Sequence, residues 1–208
     1  MAERGKARTM AESTVFLVED DRAVGEALCD LLDSANIRAR YFQSAEEFLA
    51  AWTEQMPGCL VLDVRLPGMS GMELQTRLRE AGLNLPVIVM TAHGDIPMVR
   101  KALKAGAVEF LTKPFQDEEL LQAIEQAFAL DQTVRQQKME IEETARRVAS
   151  LTERERQVVE LVTEGLTNRE AADRLFLSVV TVKLYRRLAM GKLGVSTFAE
   201  LVKLWQKA

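Results

Sequence analysis

Residues 60–71 read Leu60-Val61-Leu62-Asp63-Val64-Arg65-Leu66-Pro67-Gly68-Met69-Ser70-Gly71, and this stretch decides the fold. A short apolar run ends in one carboxylate, Asp63, and Pro67 and Gly68 then turn the chain at once. In a parallel α/β sheet this places the carboxylate at the carboxyl end of a buried strand, where such folds carry their sites. A single Asp could equally cap the next helix, so its meaning depends on the other strand ends.

Polar side chains also follow three other apolar runs. Glu19-Asp20-Asp21 comes after residues 15–18, Thr91 ends residues 86–90, and Lys113-Pro114 comes after residues 109–112. The carboxyl ends of parallel strands meet at one edge of a sheet, so we expect carboxylates, a hydroxyl and an ammonium to lie together there.

Strand and helix patterns alternate five times from residue 15 onward. Strands are predicted at 15–18, 37–42, 59–63, 86–90 and 108–112, and helices at 22–34, from 44, at 71–81, at 96–105 and from 117. This alternation predicts a parallel sheet with right-handed crossovers and helices on both faces. We expect a flavodoxin-like (βα)5 domain of strand order 2-1-3-4-5, with Asp63 beside the switch point.

The helix that begins at Asp117 has no clear end before about Ser150, because no Pro or Gly lies between Pro114 and Gly165. Val134, Ile141 and Val148 recur every seven residues, but the partner positions are poor core residues: Asp131, Lys138 and Ala145. We therefore interpret residues 131–150 as a solvated linker helix, and a weak dimeric coiled coil stays open as the alternative.

From Leu151 onward four short helices follow one another, which predicts an all-helical domain with a helix-turn-helix. Their predicted capping residues are Thr152, Thr167, Ser178 and Ser196. The predicted organisation is an N-terminal extension over 1–13, an α/β domain over 14–130, a linker over 131–150 and a helical domain over 151–208.

Residues 1–130 carry 13 Lys and Arg against 20 Asp and Glu, whereas residues 151–208 carry 10 Lys and Arg against 7 Asp and Glu. An acidic first domain and a basic last one are typical of a regulatory domain attached to an anion-binding one.

The order of the acids, Asp63, Thr91 and Lys113 resembles the receiver domain of two-component response regulators of the FixJ/NarL type. The resemblance implies that a sensor histidine kinase phosphorylates Asp63 and that Mg²⁺ is the cofactor. It implies that Asp21, Asp63 and the backbone carbonyl of Arg65 bind the metal directly and that Asp20 acts through water. Lys113 and Thr91 would contact the phosphoryl group. Phe110 would turn inward as a switch, although packing in the core is the other role open to it.

Residues 151–155, 165–170 and 178–183 resemble the LuxR-type helix-turn-helix. On the helix predicted over 179–193, Val182, Tyr185, Ala189 and Leu193 share an inward face. The opposite face would read bases in the major groove and consists of Val180, Lys183, Leu184 and Arg187. Arg186 and Lys192 are predicted to contact phosphates. Tyr185, Ala171 and Phe176 depart from the family pattern, and Phe176 occupies a turn position where positive φ would be strained.

These observations predict a transcription regulator that binds duplex DNA, forms a homodimer on phosphorylation and has RNA polymerase as a candidate partner. A cytoplasmic location is expected, because the start of the chain lacks an apolar signal core and no window reaches the ~18 apolar residues of a membrane span. A single histidine, His93, argues against a zinc site. One alternative is a receiver whose helical module binds protein or RNA. An enzyme is the other, but it needs a second catalytic group, and none is evident.

Overall fold

A computed structural model of the chain describes residues 13–92 and 96–206, except for three side chains in its fourth helix. The extension predicted over residues 1–13, apart from Ser13, and the loop residue His93 lie outside this description. The chain divides into two compact units, one ending at Arg135 and the other beginning at Gln136.

The first unit is a five-stranded parallel sheet of order β2-β1-β3-β4-β5, which confirms the predicted topology. Its strands are β1 Thr14–Val18, β2 Arg38–Phe42, β3 Gly58–Asp63, β4 Val87–Thr91 and β5 Ala107–Thr112. Its helices are α1 Arg22–Ser34, α2 Ala45–Ala51, α3 Gly71–Glu80 and α4 Ile96–Lys104, followed by the start of α5 Asp117–Ala149.

Both faces of this sheet are covered, because its central strands β1, β3 and β4 are buried at every position. Side chains alternate along a strand. Phe16 and Val18 therefore join one core cluster with Leu74 of α3, whereas Val15 and Leu17 join a second cluster with helices α1 and α5. Burial on both faces leaves the carboxyl ends of the strands as the exposed edge where polar side chains collect.

Helix α5 packs on the first unit through a stripe of buried side chains that ends in a carboxylate. The stripe consists of Leu120, Ala123, Ile124, Ala127, Phe128 and Asp131. Asp131 is 3% exposed and accepts a hydrogen bond from the Gly58 amide, at 2.9 Å. Arg135 donates from Nε to the same carboxylate and from its two Nη atoms to the carbonyls of Glu54 and Met56. Residues 131–135, predicted to start a solvated linker, are therefore attached to the start of β3.

The second unit contains four short helices: α6 Glu153–Thr163, α7 Asn168–Leu175, α8 Val179–Leu193 and α9 Phe198–Trp205. Capping boxes open α6, α7 and α9, and the cap of α9 is Thr197 rather than the predicted Ser196. Buried Val158, Val162 and Leu193 lie in their common core. Among the described residues, no helix has both the length and the apolar character needed to cross a membrane.

Candidate functional site

Asp63 is the last residue of β3 and is only 7% exposed. Its Oδ1 accepts a hydrogen bond from the Arg65 amide at 2.8 Å, which fixes the carboxylate against the turn that follows. Helix α3 begins immediately beyond that turn, and a Cβ at Gly71 would lie 2.1 Å from the Asp63 carbonyl oxygen. The absence of a side chain at Gly71 therefore allows the helix to begin close to the carboxylate.

Lys113 joins Asp63 to a second carboxylate, Glu19. Its Nζ lies 2.5 Å from Asp63 Oδ2 and 2.5 Å from Glu19 Oε2, and Glu19 is 2% exposed. Burial raises the pKa of Glu19 and outweighs its hydrogen bond with Lys113. Burial alone would lower the pKa of Lys113, but hydrogen bonds to Asp63 and Glu19 raise it above its ordinary value. The ammonium therefore stays charged and offsets the repulsion between the two carboxylates.

The acids after β1 have three different environments. Glu19 extends the strand, because its amide donates to the Phe42 carbonyl at 3.1 Å, and its side chain is buried at the site. Asp20 is exposed. Asp21 is the N-cap of α1, and its Oδ1 accepts from the amides of Ala23 and Val24.

These environments correct the sequence prediction, which made Asp21 a direct metal ligand and left Glu19 out of the site. Asp21 is already engaged in capping a helix, and Glu19 is the acid that contacts Lys113. The sequence feature that indicates Glu19 is its position directly after the apolar run, where the alternation of side chains along the strand still sets the direction of the side chain.

Thr91 and Phe110 lie on the two strands next to Asp63. Thr91 ends β4, is 0% exposed, and its carbonyl accepts a hydrogen bond from the Lys113 amide at 2.8 Å. This bond holds the end of β5, and with it Lys113, beside the end of β4. Phe110 is half-buried and packs against the cluster that contains Val89 and Ala102. Asp63, Thr91 and Lys113 thus lie at one edge of the sheet, as the strand order requires.

Oxygen donors dominate this edge, which is the donor chemistry that Mg²⁺ prefers. Both oxygens of Asp63 are already engaged, Oδ1 with the Arg65 amide and Oδ2 with Lys113. Within the described residues, no three acidic, His or Cys side chains converge closely enough to hold a metal. The residues fit a hydrated Mg²⁺ that contacts few carboxylates rather than a dehydrated, all-protein cage.

Helix α8 presents the predicted nucleic-acid surface of the second unit. Val182, Ala189 and Leu193 are each 0% exposed and pack inward, with Tyr185 half-buried beside them. The opposite face is exposed and consists of Val180, Lys183, Leu184 and Arg187. The alternation of buried and exposed positions along α8 therefore matches the prediction.

The two residues predicted to contact phosphates have partners within the second unit. Arg186 donates to Asn168 Oδ1 at 3.2 Å, a neutral partner that leaves its charge available. Lys192 lies 2.6 Å from the carboxylate of Glu155, which is 3% exposed, and donates to the Ser150 carbonyl. The ammonium of Lys192 thus already neutralises a buried carboxylate, and its contact with a DNA phosphate stays a prediction.

The three departures from the family pattern have distinct environments. Ala171 is 0% exposed, in the core, and Tyr185 is half-buried against it. Phe176 has φ 57° and ψ 44°, the left-handed conformation predicted for its turn position, and its side chain is 94% exposed. Ala171 thus lies in the core and Tyr185 packs against it, whereas Phe176 lies outside it.

Comparison with known proteins agrees with both halves of this description. Residues 15–125 match the response regulator receiver domain family, and residues 149–205 match the bacterial regulatory proteins of the luxR family. The response regulator protein TmoT of Ectopseudomonas mendocina is 42% identical over 196 residues, covering 94% of this chain and 89% of TmoT. The transcriptional regulatory protein FixJ of Bradyrhizobium diazoefficiens is 39% identical over 194 residues, covering 93% of this chain and 95% of FixJ. The solved structure of the response regulator StyR has a TM-score of 0.88 at 45% identity, covering 95% of this chain and 100% of StyR.

The fold and the paired domains define a regulator in which a receiver is joined to a DNA-binding module. The chain belongs to the response regulators of two-component systems, in the group with a LuxR-type DNA-binding domain. A receiver domain implies a kinase partner, and the LuxR-type domain implies that the chain binds DNA and regulates transcription. These matches support DNA rather than protein or RNA as the target of the helical module.

Proposed function

We propose that Asp63 accepts the phosphoryl group from a sensor histidine kinase. The observation that carries this proposal is the burial of Asp63 in direct contact with Lys113, at the end of a strand. A carboxylate oxygen of Asp63 forms the new bond to phosphorus, and the bond from phosphorus to the histidine nitrogen of the donor breaks with its electron pair left on nitrogen. Lys113 then offers its ammonium to the phosphoryl oxygens, whose negative charge would otherwise repel both carboxylates.

Mg²⁺ is the proposed cofactor, with Asp63, Asp20 and the Arg65 carbonyl as its ligands. When bound, it neutralises charge on the incoming phosphoryl oxygens. Glu19 holds Lys113 from the other side and keeps the ammonium at the site. We assign no direct metal contact to Asp21, because its Oδ1 caps α1 and Asp20 is the acid next to Glu19.

A matched pair of substitutions tests this assignment by calorimetric titration of the unphosphorylated chain with Mg²⁺. Asp20→Asn should weaken binding at least tenfold, because a charged ligand is lost. Asp21→Asn should leave binding unchanged, because Asn caps a helix about as well as Asp. The reverse pattern would restore Asp21 as the ligand.

Phosphorylation is tested by intact mass after incubation with acetyl phosphate and Mg²⁺. The wild type and the control Asp30→Asn, a change at an exposed position of α1, should each gain one phosphoryl group. Asp63→Asn should gain none. Phosphorylation of Asp63→Asn with wild-type yield would refute the assignment.

We also propose that Thr91 and Phe110 respond to the new phosphoryl group. The Thr91 hydroxyl would bond one of its oxygens, and Phe110 would pack further into the cluster that it already borders. Formation of a homodimer on phosphorylation, with RNA polymerase as a partner on the promoter, completes the proposal. Because the target is DNA, we place the site of action in the cytoplasm.

On DNA, we assign base contacts to the exposed face of α8 and phosphate contacts to Arg186. Lys183 and Arg187 are one turn apart and offer donors for guanine, whereas Val180 and Leu184 offer apolar contacts for thymine methyl groups. Competition between specific and scrambled duplexes tests this division. Lys183→Ala and Arg187→Ala should reduce the preference for the specific duplex, and Arg186→Ala should weaken both duplexes alike. Equal losses on both duplexes for all three variants would show that the face does not read bases.

A further inference from the structure

Phe176 is the most exposed large apolar side chain among the described residues, at 94%. It caps the carboxyl end of α7, in the turn that leads to Ser178, the N-cap of α8. Its neighbours Leu175 and Leu177 both pack against the core of the unit, whereas Phe176 does not. The ring therefore makes no contribution to the core that its neighbours build.

Two features make Phe a costly residue at this position. Its φ of 57° lies in the left-handed region, where glycine is favoured and a side chain with a Cβ is strained. Its ring is also left in water, where an aromatic side chain is unfavourable. The fold alone would be served better by glycine, so the reason for the ring lies in what the unit binds.

The surroundings of the ring indicate what that partner is. Helix α8 begins three residues later, and Val180 in its first turn is 77% exposed. Farther along the same helix, Leu184 is 41% exposed and lies beside the exposed cations Lys183 and Arg187. Arg174, on the other side of the turn, is exposed as well. Apolar groups flanked by cations match the wall of a DNA groove, where deoxyribose and thymine methyl groups lie between phosphates.

We propose that Phe176 is a DNA-contacting, specificity-determining residue of this regulator, whose ring packs against a thymine methyl group and its deoxyribose at the edge of the sequence that α8 reads. The ring extends the apolar contact of Val180 beyond the N-terminus of the helix. Binding removes it from water, so the cost of its exposure in the free chain is recovered on DNA.

The test compares two properties of the same variants, because we expect replacing Phe176 to preserve or raise thermal stability but to weaken DNA binding. Phe176→Gly and Phe176→Asn both suit the left-handed conformation, so the thermal midpoint of the full chain should stay at or above the wild-type value. Affinity for the tightest duplex selected from random DNA by the wild type should fall about tenfold. Asn36→Gly is the matched control, because Asn36 also has φ 57° but lies in the receiver, and it should leave DNA affinity unchanged.

Replacing each thymine of that duplex by deoxyuridine then locates the contact. Loss of one methyl group should weaken the wild type but have a smaller effect on Phe176→Gly, and an absence of such coupling would overturn the thymine contact. DNA affinity that is unchanged in Phe176→Gly, with a loss only in transcription with RNA polymerase, would assign the ring to a protein partner and overturn the proposal. If the thermal midpoint of Phe176→Gly falls together with its DNA affinity, the ring has a structural role, and that result would also overturn the proposal.

Discussion

Replacing Arg135 by Ala should destabilise the receiver far more than a typical change on a helix surface. Asp131 is 3% exposed, and its carboxylate accepts hydrogen bonds from the Gly58 amide at 2.9 Å and from Arg135 Nε at 2.8 Å. The Nη atoms of Arg135 donate to the carbonyls of Glu54 and Met56 at 2.9 and 2.7 Å. Arg135→Ala would leave Asp131 charged and buried, with a single remaining donor.

The magnitude follows from burial. Breaking a fully buried ion pair by removal of one partner costs about 3–5 kcal/mol. The side chain of Arg135 is 29% exposed, and the Gly58 amide remains, so the loss should lie at the lower end, about 2–3 kcal/mol. Asp131→Asn keeps an acceptor for Gly58 and should cost about 1–2 kcal/mol. The double variant Asp131→Asn/Arg135→Ala should cost less than the sum of the two changes.

Urea unfolding followed by the fluorescence of Trp52 measures the effect. Trp52 is 8% exposed in the receiver core, and Trp205 lies in the second unit, so a Trp205→Phe background isolates the receiver signal. The control is Arg146→Ala on the same helix, whose pair with Glu143 has side chains 74% and 46% exposed. The control should change the unfolding free energy by less than about 0.5 kcal/mol. If Arg135→Ala costs no more than the control, the carboxylate is not held as the structure indicates.

Three other substitutions, the last with a matched control, give separable results. The raised pKa of Lys113 means that its stabilising contribution is present below its ordinary value of 10.5 and is lost as pH rises through the raised pKa. Lys113→Met should therefore reduce the fall in unfolding free energy at alkaline pH. Burial raises the pKa of Glu155, but hydrogen bonds, the strongest of them from Lys192, lower this pKa overall. The contribution of Glu155 to stability is therefore present above its ordinary pKa of 4.5 and is lost as pH falls through the lowered pKa. Glu155→Gln should therefore cost about 1–2 kcal/mol at pH 7 and flatten the acid limb of unfolding curves. Leu193→Ala in the second core should cost about 2–5 kcal/mol in thermal or urea unfolding, whereas Leu188→Ala, at a side chain 44% exposed, should stay within about 0.5 kcal/mol.

The sheet could be predicted because each strand ends in a recognisable change from apolar to polar residues. Parallel pairing then brings Asp63, Thr91 and Lys113 to one edge, whatever the details of packing. The assignment within the run of three acids could not be made in this way. The three acids are consecutive, and the last of them caps the next helix, so an error of one residue replaces the pair Glu19-Asp20 by the pair Asp20-Asp21.

The boundary in α5 was misjudged for a different reason. A search for heptads counts apolar residues, so it treats Asp131 as a poor core residue and predicts a solvated helix from there. The receiver-facing stripe in fact continues at helical spacing from Ile124 through Phe128 to Asp131, and Arg135 follows one turn later. A carboxylate with an Arg four residues on can complete a buried stripe, because each neutralises the other. Beyond it, Met139 and Ile141 are 56% and 68% exposed.

The charge of α8 shows the same limit of sequence reasoning at the DNA surface. A helical projection places Lys183 and Arg187 on the base-reading face and assigns Arg186 and Lys192 to phosphates, but it does not show which cations have partners within the unit. The buried carboxylate of Glu155 neutralises Lys192, whereas Arg186 donates to a neutral amide. Because salt dependence reflects the phosphates that a protein neutralises, we expect a cation already paired with a buried carboxylate to contribute less to it than a cation with a neutral partner. Of the two phosphate contacts that the sequence predicts for α8, Arg186 and Lys192, we therefore expect Arg186 to contribute more to the salt dependence of DNA binding.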